Sequence, residues 1–101
     1  MATLYITEYG TIAGLPATAN GQVPLEPPLA DYTIPIPGTS PPFQSGTRML
    51  RLNCDATCSL LIGPGGSTNA TTNNGRFATN QTEYRGVPEG RGFVVSVVAN
   101  V

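Results

Sequence analysis

Thr47-Arg48-Met49-Leu50-Arg51-Leu52-Asn53-Cys54-Asp55-Ala56-Thr57-Cys58-Ser59-Leu60-Leu61-Ile62 is the stretch on which the fold turns. Arg48, Leu50, Leu52 and Cys54 share one face, and Met49, Arg51 and Asn53 take the other. After Asp55-Ala56-Thr57, Cys58, Leu60 and Ile62 alternate with Ser59 and Leu61. A period of two, rich in apolar side chains on one face, predicts half-buried strands. Two such runs about a three-residue connection predict a β-hairpin. Gly63-Pro64-Gly65-Gly66 ends the second run, and Ser67 to Gly75 reads as a polar loop without a hydrophobic anchor.

Outward from this centre the strand pattern continues. Thr3 to Tyr9 alternates Leu4 and Ile6 with Tyr5, Thr7 and Tyr9. Arg76 to Ala78 and Gln81 to Val87 suit two short strands, the second stopped by Pro88, whose missing N–H ends a ladder. Pro88-Glu89-Gly90-Arg91-Gly92 reads as a turn. Phe93 to Val98 is nearly continuous apolar sequence, expected to be a strand buried on one face or both. Asn20-Gly21 is a strong turn signal. Six to eight short strands without helical periodicity predict an all-β chain, a small antiparallel β-sandwich or barrel.

The segment from Pro16 to Pro42 breaks this pattern. It holds eight of the ten prolines and only two charges, Glu26 and Asp31. Each Pro removes a backbone donor, so the segment is excluded from a central strand or a helix. Val23, Leu25, Leu29, Tyr32, Ile34, Ile36 and the following Phe43 are nevertheless too apolar for a solvated linker. An extended, Pro-rich arm that lays these side chains against a surface reconciles the two. That surface is either the domain's own sheet or a neighbouring subunit. The expected organisation is one β domain over 1–101, with the arm spanning 10–46.

Composition narrows the function. The chain has 101 residues, 12 Gly and 10 Pro, 11% charged residues, no His and no Trp, and all five of its basic residues are Arg. Without His the commonest general base and metal ligand are missing. Without Lys there is no Schiff-base amine and no phosphate-loop lysine. A net charge of −1 gives no sequence-wide attraction to nucleic acid or to an anionic membrane. No run of roughly 18–20 apolar residues is long enough for a membrane helix. Met1-Ala2-Thr3-Leu4-Tyr5 lacks the basic and apolar regions of a signal peptide, so synthesis in a cytoplasm without processing is expected. The charge is uneven: residues 1–47 hold Glu8, Glu26 and Asp31 for −3, while 48–101 hold five Arg against Asp55, Glu83 and Glu89 for +2, which recovers −1. Such polarity favours head-to-tail contact between identical copies, although eleven charges can also fall this way by chance.

None of the candidate reactive groups forms a catalytic set. Cys54 and Cys58 are four residues apart, the wrong spacing for a redox pair, and no second Cys pair or His completes a zinc site. If the hairpin forms, they flank its turn and a disulfide is geometrically open to them; two free, packed thiols are the favoured state. Asp55 is a turn residue. Glu83 and Glu89 near Arg85 and Arg91 suit surface ion pairs. Gly63-Pro64-Gly65-Gly66-Ser67 has neither the Lys nor the following helix of a phosphate loop. No enzyme activity, cofactor or metal is expected.

With these segments identified, the chain resembles a family of small tailed-bacteriophage virion proteins that decorate or cement the icosahedral head. The resemblance rests on Met-Ala-Thr-Leu-Tyr-Ile-Thr-Glu-Tyr at the start and on Thr47 to Cys58. It extends to Asn80-Gln81-Thr82-Glu83-Tyr84 with Gly86-Val87-Pro88, and to the apolar C-terminal strand. The segment from Gly10 to Gly46 matches only in being Pro-rich and of similar length. The resemblance implies a β-rich domain bound many times over the capsid lattice, often as trimers. The major capsid protein and the chain itself, as a homotrimer or other homo-oligomer, are then the expected partners, with the capsid surface of the virion as its location. Expected contact residues are Leu25, Pro27, Pro28, Leu29, Tyr32, Ile34, Ile36 and Phe43 of the arm, with Arg76, Arg85 and Arg91. A neck or tail-associated virion subunit and a carbohydrate-binding β-sandwich module are the alternatives. The latter expects aromatic residues clustered in a groove, for which only Tyr5, Tyr9, Tyr32, Tyr84, Phe43, Phe77 and Phe93 are available.

Overall fold

The computed structural model describes residues 2–10, 12–14, 22–24 and 27–100, with side chains described for 2–10 and 27–100. The chain is all-β, and the strands are β1 (Thr3–Tyr9), β2 (Ile12–Gly14), β3 (Gln22–Pro24), β4 (Ala30–Pro35), β5 (Gly38–Thr39), β6 (Met49–Cys54), β7 (Cys58–Pro64), β8 (Gly75–Phe77), β9 (Thr82–Gly86) and β10 (Phe93–Ala99). Two antiparallel four-stranded sheets, ordered β4-β1-β6-β9 and β5-β10-β7-β8, form a small sandwich, and β2 pairs with β3 as a separate ribbon. The alternation in the sequence maps directly onto burial. Leu4, Ile6, Leu50, Leu52 and Cys54 of the first sheet face Cys58, Leu60, Phe77, Val95 and Val97 of the second.

The expected hairpin between β6 and β7 does not form. β6 pairs with β1 and β9, whereas β7 pairs with β10 and β8. Asp55-Ala56-Thr57 therefore carries the chain from one sheet to the other. A three-residue hairpin loop requires a residue in the left-handed region, usually Gly, and this link has none. Its polar groups bond elsewhere: Thr3 N–H donates to Asp55 Oδ1 at 2.7 Å, Asp55 N–H to the Thr3 carbonyl, and Asn100 N–H to the Thr57 carbonyl. Both runs bury the same alternate residues in either arrangement, so the period alone does not distinguish them.

The described part of the Pro-rich segment covers the domain's own core. β4 and β5 lie at the edges of the two sheets, where prolines remove no ladder bond that a central strand needs. Ile34, Ile36 and Phe43 join the core cluster, with Tyr32 packed against it. The Asn20-Gly21 turn and Leu25 lie outside the described residues.

The loop after β7 departs from expectation in having anchors. Thr68 and Ala70 are buried: Thr68 Oγ1 donates to the Pro64 carbonyl at 2.6 Å, and Ala70 N–H donates to Ser96 Oγ at 2.9 Å. Asn100 Nδ2 reaches Ser59 Oγ and the Thr72 carbonyl. The loop thus roofs the outer face of β10, which is why Val94 and Ser96 are buried as well as Val95 and Val97.

Candidate interaction surfaces

Glu8 is the most deeply buried carboxylate among the described residues, and nothing in the sequence pattern singles it out. It is buried at the end of β1 and accepts three hydrogen bonds: from Tyr32 Oη at 2.6 Å, Thr47 Oγ1 at 2.6 Å and Gln44 N–H at 2.8 Å. Leu29 N–H donates to its carbonyl and Arg48 N–H to that of Tyr9. One carboxylate therefore pins both ends of the 27–47 segment to the first sheet. Burial, and then Glu8 itself, pushes the Tyr32 phenol well above its ordinary range. The group is an anchor, with its oxygens already occupied.

The two cysteines are free and buried in the core. Burial, followed by the neighbouring Cys54, pushes the Cys58 thiol up to about 12, and Cys54 Sγ lies 3.2 Å from the Ala78 carbonyl. Both thiols are buried, so neither has the exposure that reactivity requires. Among the described residues no three His, Cys, Asp or Glu side chains gather to hold a metal.

The expected contact residues divide sharply. Ile34, Ile36 and Phe43 are buried in the chain's own core, and Tyr32 is half-buried with its hydroxyl on Glu8. Pro27 and Leu29 are exposed, Pro28 is half-buried, and Leu25 is outside the described residues. Leu29, 48% exposed, lies over Gly10: a Cβ added there would meet its Cδ1 at 2.9 Å.

Of the three arginines, Arg85 lines a cleft, while Arg76 and Arg91 are exposed on the elements beside it. β8 pairs with only Cys58, Ser59 and Leu60, so β7 from Leu61 onward has no strand on that side among the described residues. Next to this free edge is a cleft of about 340 Å³, lined by Leu60, Ile62, Pro88 and Phe93 together with Gly75 and Arg85. Arg85 is fixed there by Glu83 Oε1, to which Nη2 donates at 2.9 Å and Nε at 3.1 Å, and its guanidinium carbon is 5.5 Å from the Phe77 ring centroid. Arg76 follows Gly75 on β8. Arg91 is presented by the turn between Pro88 and Phe93, in which Gly90 and Gly92 have φ of 72° and 64°. Arg76 and Arg91 are exposed, and neither has a hydrogen bond or ion pair among the described residues.

The edges of the sandwich differ in how they repel strand addition. β4 ends in Pro35 and carries Asp31, and β9 turns Glu83 and Arg85 toward the inner side; prolines and inward charges both blunt an edge. The open half of β7 carries only Leu61, Ile62, Gly63 and Pro64, with Leu61 37% exposed. Pro64 blunts this edge at its far end, while Leu61 and Ile62 bring no charge that repels an added strand.

The outer face of the first sheet forms a second surface. Its cross-strand rows are Thr33-Tyr5-Asn53-Thr82 and Asp31-Thr7-Arg51-Tyr84. No family model, no curated protein and no solved structure matches the chain.

Proposed function

We propose that the chain is a structural virion protein that binds the outside of a phage capsid and stabilises it through many repeated contacts. The observation that carries the reading is the cleft lined by Leu60, Ile62, Phe93 and Arg85 beside the unpaired half of β7, with the exposed Arg76 on the neighbouring strand and Arg91 in the turn before β10. Arginine is enriched at interfaces because its rigid fork is weakly hydrated and reads carboxylates and backbone carbonyls. A free edge supplies main-chain donors and acceptors, and the cleft supplies apolar area. The sequence resemblance to head decoration proteins supports the same reading, with the major capsid protein as principal partner and further copies of the chain beside it. Each contact is modest; repetition over the lattice makes the sum large.

The test is co-sedimentation with empty heads of the phage whose genome encodes the chain. Wild-type protein is expected to pellet with the heads at a fixed copy number. The Arg76→Glu/Arg91→Glu double variant is expected to lose most of that binding while keeping its thermal transition. Wild-type protein that stays in the supernatant would refute the proposal.

A further inference from the structure

The outer face of the first sheet shares no lining residue with the arginine-flanked cleft, so a ligand held on this face is independent of the capsid reading. Here the register sets Thr7 between Asp31 and Arg51, and Tyr5 between Thr33 and Asn53. These side chains line a shallow depression of about 310 Å³, formed by Tyr5, Thr7, Asp31, Thr33 and Arg51 over the β1–β4 pair. That volume lies at the lower end of small-molecule sites.

Three features point to a ligand. Tyr5 is 47% exposed and Tyr84 52%, large rings left half in water on a rigid sheet. Arg51 is half-buried and has no hydrogen bond or ion pair among the described residues. Its stem is covered while its guanidinium stays open to solvent, so its five donors are available to a ligand. Asp31 gives Oδ1 to the Thr7 hydroxyl and keeps Oδ2.

Asp31 and Arg51 cancel in charge, so the depression selects neither an anion nor a cation. A suitable ligand accepts from the guanidinium, donates to the carboxylate, and offers an apolar face to a tyrosine ring. Neighbouring hydroxyls on a sugar ring do the first two, and the C–H face of the ring does the third. Tyr5 and Tyr84 are two strands and two residues apart, about 12 Å from the standard sheet spacings, which suits a short chain of sugars better than one ring. We infer that this face binds a neutral oligosaccharide, with Tyr5 stacking, Asp31 Oδ2 accepting from hydroxyls, Arg51 donating, and Tyr84 extending the platform.

The experiment is an NMR titration of the full chain with neutral gluco-, manno-, galacto- and N-acetylglucosamine oligosaccharides, up to tens of millimolar. At least one series is expected to shift the Tyr5 ring and Arg51 Nε–H resonances along a saturable curve. Arg51→Ala and Tyr5→Ala are each expected to weaken that binding about tenfold, with the thermal transition and head binding unchanged. Arg51→Gln, which preserves bulk, guards against a packing effect and is expected to weaken binding too. The inference is overturned if no member of the panel moves these resonances, or if the shifts persist in both alanine variants. It is equally overturned if Arg51→Ala abolishes head binding, which would make the face a protein contact.

Discussion

Glu8 and Cys58 carry the sharpest consequences for single side chains. Glu8 is buried without a cation beside it, and its stabilisation comes from three donors. Glu8→Ala strands the Tyr32 hydroxyl, the Thr47 hydroxyl and the Gln44 N–H at once. Thr47 is buried, Tyr32 half-buried and Gln44 exposed, and a buried, unsatisfied group costs roughly 1–3 kcal/mol, so a loss of about 2 kcal/mol is expected in denaturant unfolding. Glu8→Gln keeps one acceptor oxygen and should cost less than half as much; equal losses would show that the hydrogen bonds are not what matters. For Cys58 the folded thiol is raised from 9.0 to about 12. A group raised on folding stabilises the native state fully below its unfolded pKa and loses that contribution as pH climbs toward the folded value. The raised Tyr32 phenol acts in the same direction, above its own unfolded value of 10.0. Stability is therefore expected to fall through the window between about pH 9 and pH 12, with a shallower fall in a Cys58→Ala/Tyr32→Phe variant. Denaturant midpoints across that window check it, and a flat profile would contradict the burial of the two groups.

Strand membership was legible in the sequence where the period was strong, and strand partnership was not. Leu50, Leu52 and Cys54 announce β6, and Cys58, Leu60 and Ile62 announce β7, because burial of alternate residues is a local property of a pleated chain. The choice between a hairpin and a crossing link depends on which neighbours saturate each strand, and those neighbours are β1 and β10, distant in sequence. The crossing makes a direct prediction. Replacing Asp55-Ala56-Thr57 by Asn-Gly, the strongest two-residue hairpin turn, should prevent folding, because β6 and β7 are not neighbours. A folded, equally stable product would mean that the two strands do pair. The same limit hid the site. Arg76, Arg85 and Arg91 could be singled out as interface-type residues, but that Arg85 alone of the three lines a cleft depends on β9 lying at the edge of its sheet and on β8 pairing only as far as Leu60 of β7. Arg51 and Tyr5 each read as the polar side of a strand; only the register of β1 against β4 and β6 sets them around one depression.

Across the molecule, the charge polarity of the chain is weaker on the surface than in the sequence. Of the three acids before residue 48, Glu8 is buried and fully bound, Glu26 lies outside the described residues, and Asp31 is exposed. The basic half keeps its charge outside: Arg48, Arg76 and Arg91 are exposed, while Arg85 is partly neutralised by Glu83. Electrostatic attraction should therefore run from the arginine-flanked side of this chain toward an acidic partner more than between identical copies. Exposed charge pairs contribute only about 0–1 kcal/mol each, so a single contact is weak, and the proposed attachment to a capsid would depend on many contacts acting together. Between 0.1 M and 1 M salt the screening length shrinks from about 10 Å to about 3 Å. Head binding through Arg76 and Arg91 should fall steeply over that range. The Arg76→Glu/Arg91→Glu variant, already weak, should no longer weaken with salt and should bind slightly better at high salt, because its two new carboxylates repel an acidic partner and salt screens that repulsion. A wild-type protein whose copy number on heads does not change with salt would place the contact in the apolar cleft and the open β7 edge alone. Leu61→Lys would then be the decisive variant, since a charge at this exposed position on the open edge disfavours strand addition without entering the core.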